Sequence, residues 1–204
     1  MLTDCSERPV GVVSTGAGNT ASLYAALRRA GGEPYAVTTP TEVAAATHLV
    51  LPGVGAFGPV VAALRQRGIL AALKERVLSG EPTLAICIGM QLLFAASDES
   101  PGTDGLGIAP QRVESLRLSA NGRPWTHFGW ARVGDPVAGN FAYFAHSYAA
   151  TSGPDDWEVQ FADADTRFVA QMRRGAVVAC QYHPEISGRF GAALLRSWLW
   201  ETRS

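Results

Sequence analysis

The sequence predicts an α/β fold with a mostly parallel central sheet and an antiparallel section added to it. Three observations carry that expectation. Short, β-branched apolar runs alternate with helix-spaced segments up to about Ala109; beyond it the chain becomes a series of strand-like runs joined by Gly, Pro and Asp turns. No linker-like stretch separates the two regions, so residues 1–204 read as a single domain.

Taken in order, Val10-Gly11-Val12-Val13 is a buried-strand candidate, followed by Gly16-Ala17-Gly18-Asn19 and a helix from Thr20 to Arg29 with Leu23 and Leu27 at helical spacing. Tyr35–Thr38, His48–Leu51 and Thr83–Ile86 are further short strands, and Val60–Leu78 reads as helix. Pro101–Pro110 is a Gly-, Asp- and Pro-rich loop. The later strands are expected at Arg112–Leu118, Thr126–Val133, Phe141–Tyr148, Trp157–Phe161, Phe168–Met172 and Ala176–Tyr182. A closing helix, Gly188–Glu201, repeats Phe190, Leu194 and Trp198 every four residues.

Composition narrows the function classes. Hydrophobic residues make up 47% of the 204 and charged residues 17%, with net charge −1 and mean hydropathy +0.07, as expected of a folded globular chain. No block of like charge favours nucleic acid or an anionic membrane. Three cysteines, Cys5, Cys87 and Cys180, without CxxC spacing, argue against a disulfide framework or a cysteine zinc site and fit a reducing cytoplasm. The polar start of the chain lacks the apolar core of a signal peptide, and no apolar run reaches the ~20 residues of a membrane span.

One segment suggests chemistry. Thr83-Leu84-Ala85-Ile86-Cys87-Ile88-Gly89-Met90-Gln91-Leu92-Leu93-Phe94 passes from strand-like to helix-like with a thiol at the junction. Such an elbow crowds the positions two residues either side of its tip, and Ala85 and Gly89 are small there. A helix N-terminus at Cys87 would favour thiolate over thiol. A buried, inert cysteine is the competing reading.

A thiolate nucleophile needs a base, and four histidines are available: His48, His127, His146 and His183. Gln181-Tyr182-His183-Pro184-Glu185 ends a strand, where residues i and i+2 point to one side and Pro184 favours extended backbone at His183. Glu185 can then accept from one imidazole nitrogen while the other faces the thiol. His48, His127 and His146 fit core or interface positions better. Pro52-Gly53-Val54-Gly55, directly after a strand, could join the backbone N–H of Ile88 in binding an oxyanion.

Together these segments resemble a class I (triad) glutamine amidotransferase, whose elbow reads G-x-C-x-G-x-Q and whose late motif is H-P-E. Nearly the whole chain is similar to members that serve a synthase in histidine biosynthesis. Matching pieces are Gly16-Ala17-Gly18-Asn19, Leu51-Pro52-Gly53-Val54-Gly55-Ala56-Phe57-Gly58, Cys87-Ile88-Gly89-Met90-Gln91, His127-Phe128-Gly129-Trp130, Tyr143-Phe144-Ala145-His146-Ser147-Tyr148 and Gln181-Tyr182-His183-Pro184-Glu185.

The resemblance implies a flavodoxin-like three-layer fold and hydrolysis of L-glutamine to glutamate and ammonia, with Cys87 as nucleophile, His183 as acid/base and Glu185 orienting it. It implies an oxyanion hole from Gly53, Val54 and Ile88, and a glutamine site from Gly55, Gln91, Ser147 and Tyr148. It also implies a heterodimer with a (β/α)8-barrel cyclase that receives the ammonia, with Asn19, Trp130 and Tyr143 near the interface, and no metal or organic cofactor.

The chain departs from the family pattern at Ser14-Thr15 for Asp-Tyr, Ala85 for Gly, Ala131 for Asn and Ile186 for Lys. Those at Ser14, Thr15, Ala131 and Ile186 are expected on the cyclase side and keep open the same glutaminase serving a different synthase. A dinucleotide-binding module, suggested by Gly16-x-Gly18-x-x-Ala21 after a strand, lacks the acid expected at the second strand's end, where Thr38-Thr39-Pro40 stands.

Overall fold

The computed structural model describes residues 7–16, 20–116, 126–135, 137, 139–163 and 166–200. Its first half alternates β1 (Arg8–Val13), α1 (Ala21–Arg29), β2 (Gly32–Val37), α2 (Pro40–Ala45), β3 (His48–Leu51), α3 (Phe57–Gln66), α4 (Ile69–Leu78), β4 (Thr83–Ile86), α5 (Ile88–Gln91) and β5 (Phe94–Ser97). There follow β6 (Ala109–Ser115), β7 (His127–Val133), β8 (Asn140–His146), β9 (Tyr148–Ala149), β10 (Glu158–Asp163), β11 (Arg167–Arg174) and β12 (Val177–Cys180), then a 3-10 turn (Pro184–Ile186) and α6 (Gly188–Trp200).

The main sheet runs β2-β1-β3-β4-β12-β11-β10-β7-β8. Its first five strands are parallel, in the doubly wound order of flavodoxin-like folds, and β11, β10, β7 and β8 continue it antiparallel. The inner parallel strands β1, β3, β4 and β12 read as apolar runs because both faces are covered, whereas edge strand β2 is half exposed. Alternate residues go to opposite cores: Leu49, Leu51, Ala85 and Ala179 pack beneath α2, α3 and α4, whereas Val50, Leu84, Ile86 and Val178 pack beneath α1 and α6. This is the expected three-layer architecture with its antiparallel extension.

Four local expectations need correction. The segment Val60–Leu78 is not one helix: α3 ends at Gln66, and Gly68 takes a left-handed conformation (φ 72°) that only glycine adopts cheaply before α4 begins. The Arg112–Leu118 strand joins a separate three-stranded sheet, β5-β6-β9, rather than the main one; residues beyond Leu116 in that segment lie outside the described set. The helix after Cys87 lasts one turn, and the chain returns as β5, because Leu106, Ile108 and Ala109 amides take the Leu92 and Leu93 carbonyls.

Finally, α2 occupies a stretch with no helix expected. Its signal was present in Thr39-Pro40-Thr41-Glu42: Thr39 caps Glu42 N–H, the Glu42 carboxylate accepts from Thr39 N–H at 3.0 Å, and Pro40 opens the helix.

Candidate active site

Strand register assembles the site. β4 lies between β3 and β12, with Leu51 opposite Ala85 and Cys180 opposite Ile86. Continuing each strand past its end brings Gly53 to one side of Cys87 and the Gln181–His183 segment to the other.

Cys87 is the one non-glycine residue with positive φ among the described residues (φ 47°, ψ −106°), the strained backbone of an elbow that projects its side chain. The small neighbours are obligatory. A Cβ at Gly89 would stand 2.3 Å from the Leu51 carbonyl oxygen, and one at Gly53 would stand 2.1 Å from the Ile86 oxygen and 2.6 Å from Cys87 Cβ. Ala85 is fully buried on the opposite face and fits where the family pattern has glycine.

His183 is extended (φ −98°, ψ 97°), as Pro184 requires, but Glu185 is not its strand neighbour. β12 stops at Cys180 and Pro184 starts a 3-10 turn, closed by Ile186 N–H to the His183 carbonyl at 3.2 Å. The turn still delivers the carboxylate: His183 Nδ1 lies 2.9 Å from Glu185 Oε1. Burial pushes the His183 pKa down, but hydrogen bonds to Cys87 and Glu185, and their charges, outweigh it and raise it to about 10. The resting pair is therefore an imidazolium facing sulfur, with Glu185 behind it.

A second set of contacts reaches the sulfur from Gln181, a residue that the motif reading left unassigned. Gln181 Nε2 lies 3.5 Å from Cys87 Sγ, and Gln91 Nε2 donates to Gln181 Oε1 at 3.2 Å and to the Tyr148 carbonyl at 2.8 Å. Gln91 Oε1 is buried with no hydrogen-bond partner among the described residues. Ser147 precedes Tyr148 in the chain, and its hydroxyl lies 2.7 Å from Thr126 Oγ1. Gly55, at φ 109°, is exposed beside half-buried Val54, and Ile88 heads α5, where the first amides have no helical acceptor.

The other histidines take structural places. His146 Nδ1 donates to the Tyr148 carbonyl at 3.1 Å, and its ring packs against His127, Phe144 and Phe168. Burial above all, then the charge of His127, lowers its pKa to about 3 despite that bond, so it stays neutral. His48 packs edge-on to Trp198. Cys180 is fully buried, and burial holds its thiol well above the ordinary range. Among the described residues, no group of three or more His, Cys, Asp and Glu is placed to hold a metal ion.

Trp130 and Tyr143 pair across β7 and β8, with ring centroids 5.8 Å apart. Tyr143 is bonded to the histidine segment through both backbone groups: its carbonyl accepts His183 N–H at 3.0 Å and its N–H donates to Ser187 Oγ at 2.9 Å. Asn19 lies outside the described residues. Among the departures, Thr15 and Ala131 are buried and Ile186 is exposed.

The chain belongs to the class-I glutamine amidotransferase family, whose model matches residues 12–202. It is an amidotransferase that hydrolyses glutamine. Within that family it belongs with the imidazole glycerol phosphate synthase subunits called HisH: it is 40% identical to the one from Exiguobacterium sibiricum over 190 residues, covering 93% of each chain. The chloroplastic imidazole glycerol phosphate synthase hisHF of Arabidopsis thaliana is 37% identical over 204 residues, which cover 95% of this chain and 34% of that one. A solved glutamine amidotransferase superposes with TM-score 0.73 at 22% identity, over 93% and 96% of the two chains, a likeness of fold. These relatives do not favour the dinucleotide-binding reading or a different acceptor synthase.

Proposed function

We propose that residues 1–204 act as one glutaminase domain in which Cys87, His183 and Glu185 hydrolyse L-glutamine and pass the ammonia to a (β/α)8-barrel cyclase in histidine biosynthesis. The observation that carries the reading is the strained Cys87 elbow with an imidazolium-carboxylate pair beside it.

The chemistry follows from that geometry. Cys87 Sγ attacks the side-chain amide carbon, and the carbonyl electron pair becomes an oxyanion received by the amides of Gly53, Val54 and Ile88. His183 gives its Nε2 proton to the departing nitrogen as the C–N bond breaks, leaving a thioester and ammonia. It then takes a proton from water, which attacks the thioester and frees glutamate. Glu185 stabilises and orients the imidazolium through Nδ1. Gly55, Gln91, Ser147 and Tyr148 hold the glutamine head group, Gln91 with its unpaired Oε1 as acceptor.

The partner would dock on the β7-β8 hairpin. Phe128 (71% exposed) and Trp130 (55%) lie on one face, with Phe141 and Tyr143 opposite Arg132 and Trp130 on the adjoining strand, and exposed Ile186 belongs to the neighbouring turn. A contiguous aromatic surface of this kind is the usual core of a protein interface. The hydrogen bonds that join Tyr143 with His183, whose N–H donates to its carbonyl, and with Ser187, which accepts from its N–H, give docking a short route to the triad. The Arabidopsis protein, of which the match spans 34%, has ample length for a fused second unit.

The test is glutamine turnover by the purified chain with and without its barrel cyclase. The expected result is low basal turnover raised by the partner; vigorous activity of the chain alone, unchanged by the partner, would overturn the coupling.

A further inference from the structure

We infer that Gln181 is a further catalytic residue, whose side-chain N–H binds the Cys87 thiolate as a fixed substitute for water.

The inference rests on the proposed role of Cys87 and on the direction of one hydrogen-bond chain. The Tyr148 carbonyl can only accept, so the group 2.8 Å from it must be the Gln91 NH2. The second N–H of that group then points at Gln181, which must present its oxygen there, at 3.2 Å. Gln181 is left with its NH2 toward Cys87 Sγ at 3.5 Å, so the sulfur accepts. Gln181 is 1% exposed, and its backbone N–H donates to the Ala170 carbonyl at 2.8 Å, so the amide cannot turn to solvent.

The chemistry gives this donor work in both half-reactions. Before attack it stabilises charge on sulfur together with His183 Nε2–H. As the S–C bond forms, the sulfur charge passes to the oxyanion and the contact weakens. When water attacks the thioester and the S–C bond breaks, the electron pair returns to sulfur and the N–H is again in place to receive it. The one-turn α5 offers little dipole for that purpose. The titratable groups around the sulfur are His183, Glu185 in the 3-10 turn and Cys180 on β12, with His146 of β8 acting on His183.

The experiment measures the pH dependence of Cys87 alkylation by iodoacetamide in the full chain, with the labelled peptide identified by mass. Gln181→Met keeps an unbranched side chain and removes the donor. The midpoint of the alkylation profile is expected to move up by roughly one to two pH units, the size of a lost charge-assisted hydrogen bond, with glutamine turnover at pH 7 falling about 10- to 100-fold and partly recovering at higher pH. An unchanged midpoint in a folded variant would overturn the inference.

Should the variant fail to fold, the wild-type chain supplies the reading. The Gln181 side-chain amide resonances should titrate with the alkylation midpoint and cease to do so in Cys87→Ala; resonances indifferent to Cys87 would equally refute the role. Glutaminase activity surviving in Cys87→Ala would instead refute the triad itself, so the two failures are distinguishable.

Discussion

At the scale of single residues, the site is defined by where bulk is forbidden and where charge is held. Gly53→Ala would place a methyl on the Ile86 carbonyl and the Cys87 Cβ, so we expect at least a 100-fold loss of glutamine turnover; an active, stable variant would show that the loop does not sit against the elbow. The His183 pKa, raised to about 10, predicts that the imidazolium persists through neutral pH and that activity falls on an alkaline limb near that value as it loses its proton. Glu185→Gln removes one of the groups that raise it, so the limb should move to lower pH in a rate profile of the complex. That Cys87, His183 and Glu185 would stand together was legible in the sequence, because an elbow cysteine and a strand-end His-Pro-Glu each carry a local pattern. Gln181 was not, although it stands next to that motif: its role depends on β12 lying beside β4, a long-range pairing that no window of sequence contains.

At the scale of elements, the inner parallel strands were readable because both faces are buried, whereas the breaks were set by single residues and distant carbonyls. The expected continuous helix over Val60–Leu78 fails at Gly68, whose left-handed backbone cannot be told from a helical glycine by periodicity alone. Gly68→Ala should cost about 1 kcal/mol and lower the melting temperature by roughly 2–4 °C without altering turnover. On β8, His146 gives the fold an acid limit. Its pKa lies near 3 in the native state and near the ordinary 6.5 when unfolded, so between those values the unfolded chain binds the extra proton. Stability is therefore lost as pH falls through that window. Urea unfolding at pH 7 and pH 4.5 should show that loss, and His146→Phe, which suits the surrounding rings, should shrink it; an undiminished pH slope would assign the acid limit elsewhere. The short α5 also leaves little of the helix dipole expected beside Cys87.

At the scale of the whole molecule, the nine-stranded sheet does two jobs. Its parallel half carries the elbow, and its antiparallel half carries the aromatic hairpin whose Tyr143 is tied to the histidine segment. The fold class and the meeting of Cys87 with the His183-Glu185 pair could be read from ordered motifs, while the hairpin's outward face emerged only from strand pairing, which separates exposed Trp130 from buried Ala131. Phe128→Ala with Trp130→Ala should weaken the partner's binding at least 10-fold by calorimetry and lower its stimulation of glutamine turnover. The central claim is that the Cys87 triad produces the ammonia the cyclase consumes. It is tested most directly by assembling Cys87→Ala with the cyclase and supplying either glutamine or ammonium as the nitrogen source. The account predicts that cyclisation with glutamine falls by about 10³-fold or more while cyclisation with ammonium stays at the wild-type rate; undiminished glutamine-dependent cyclisation would contradict it.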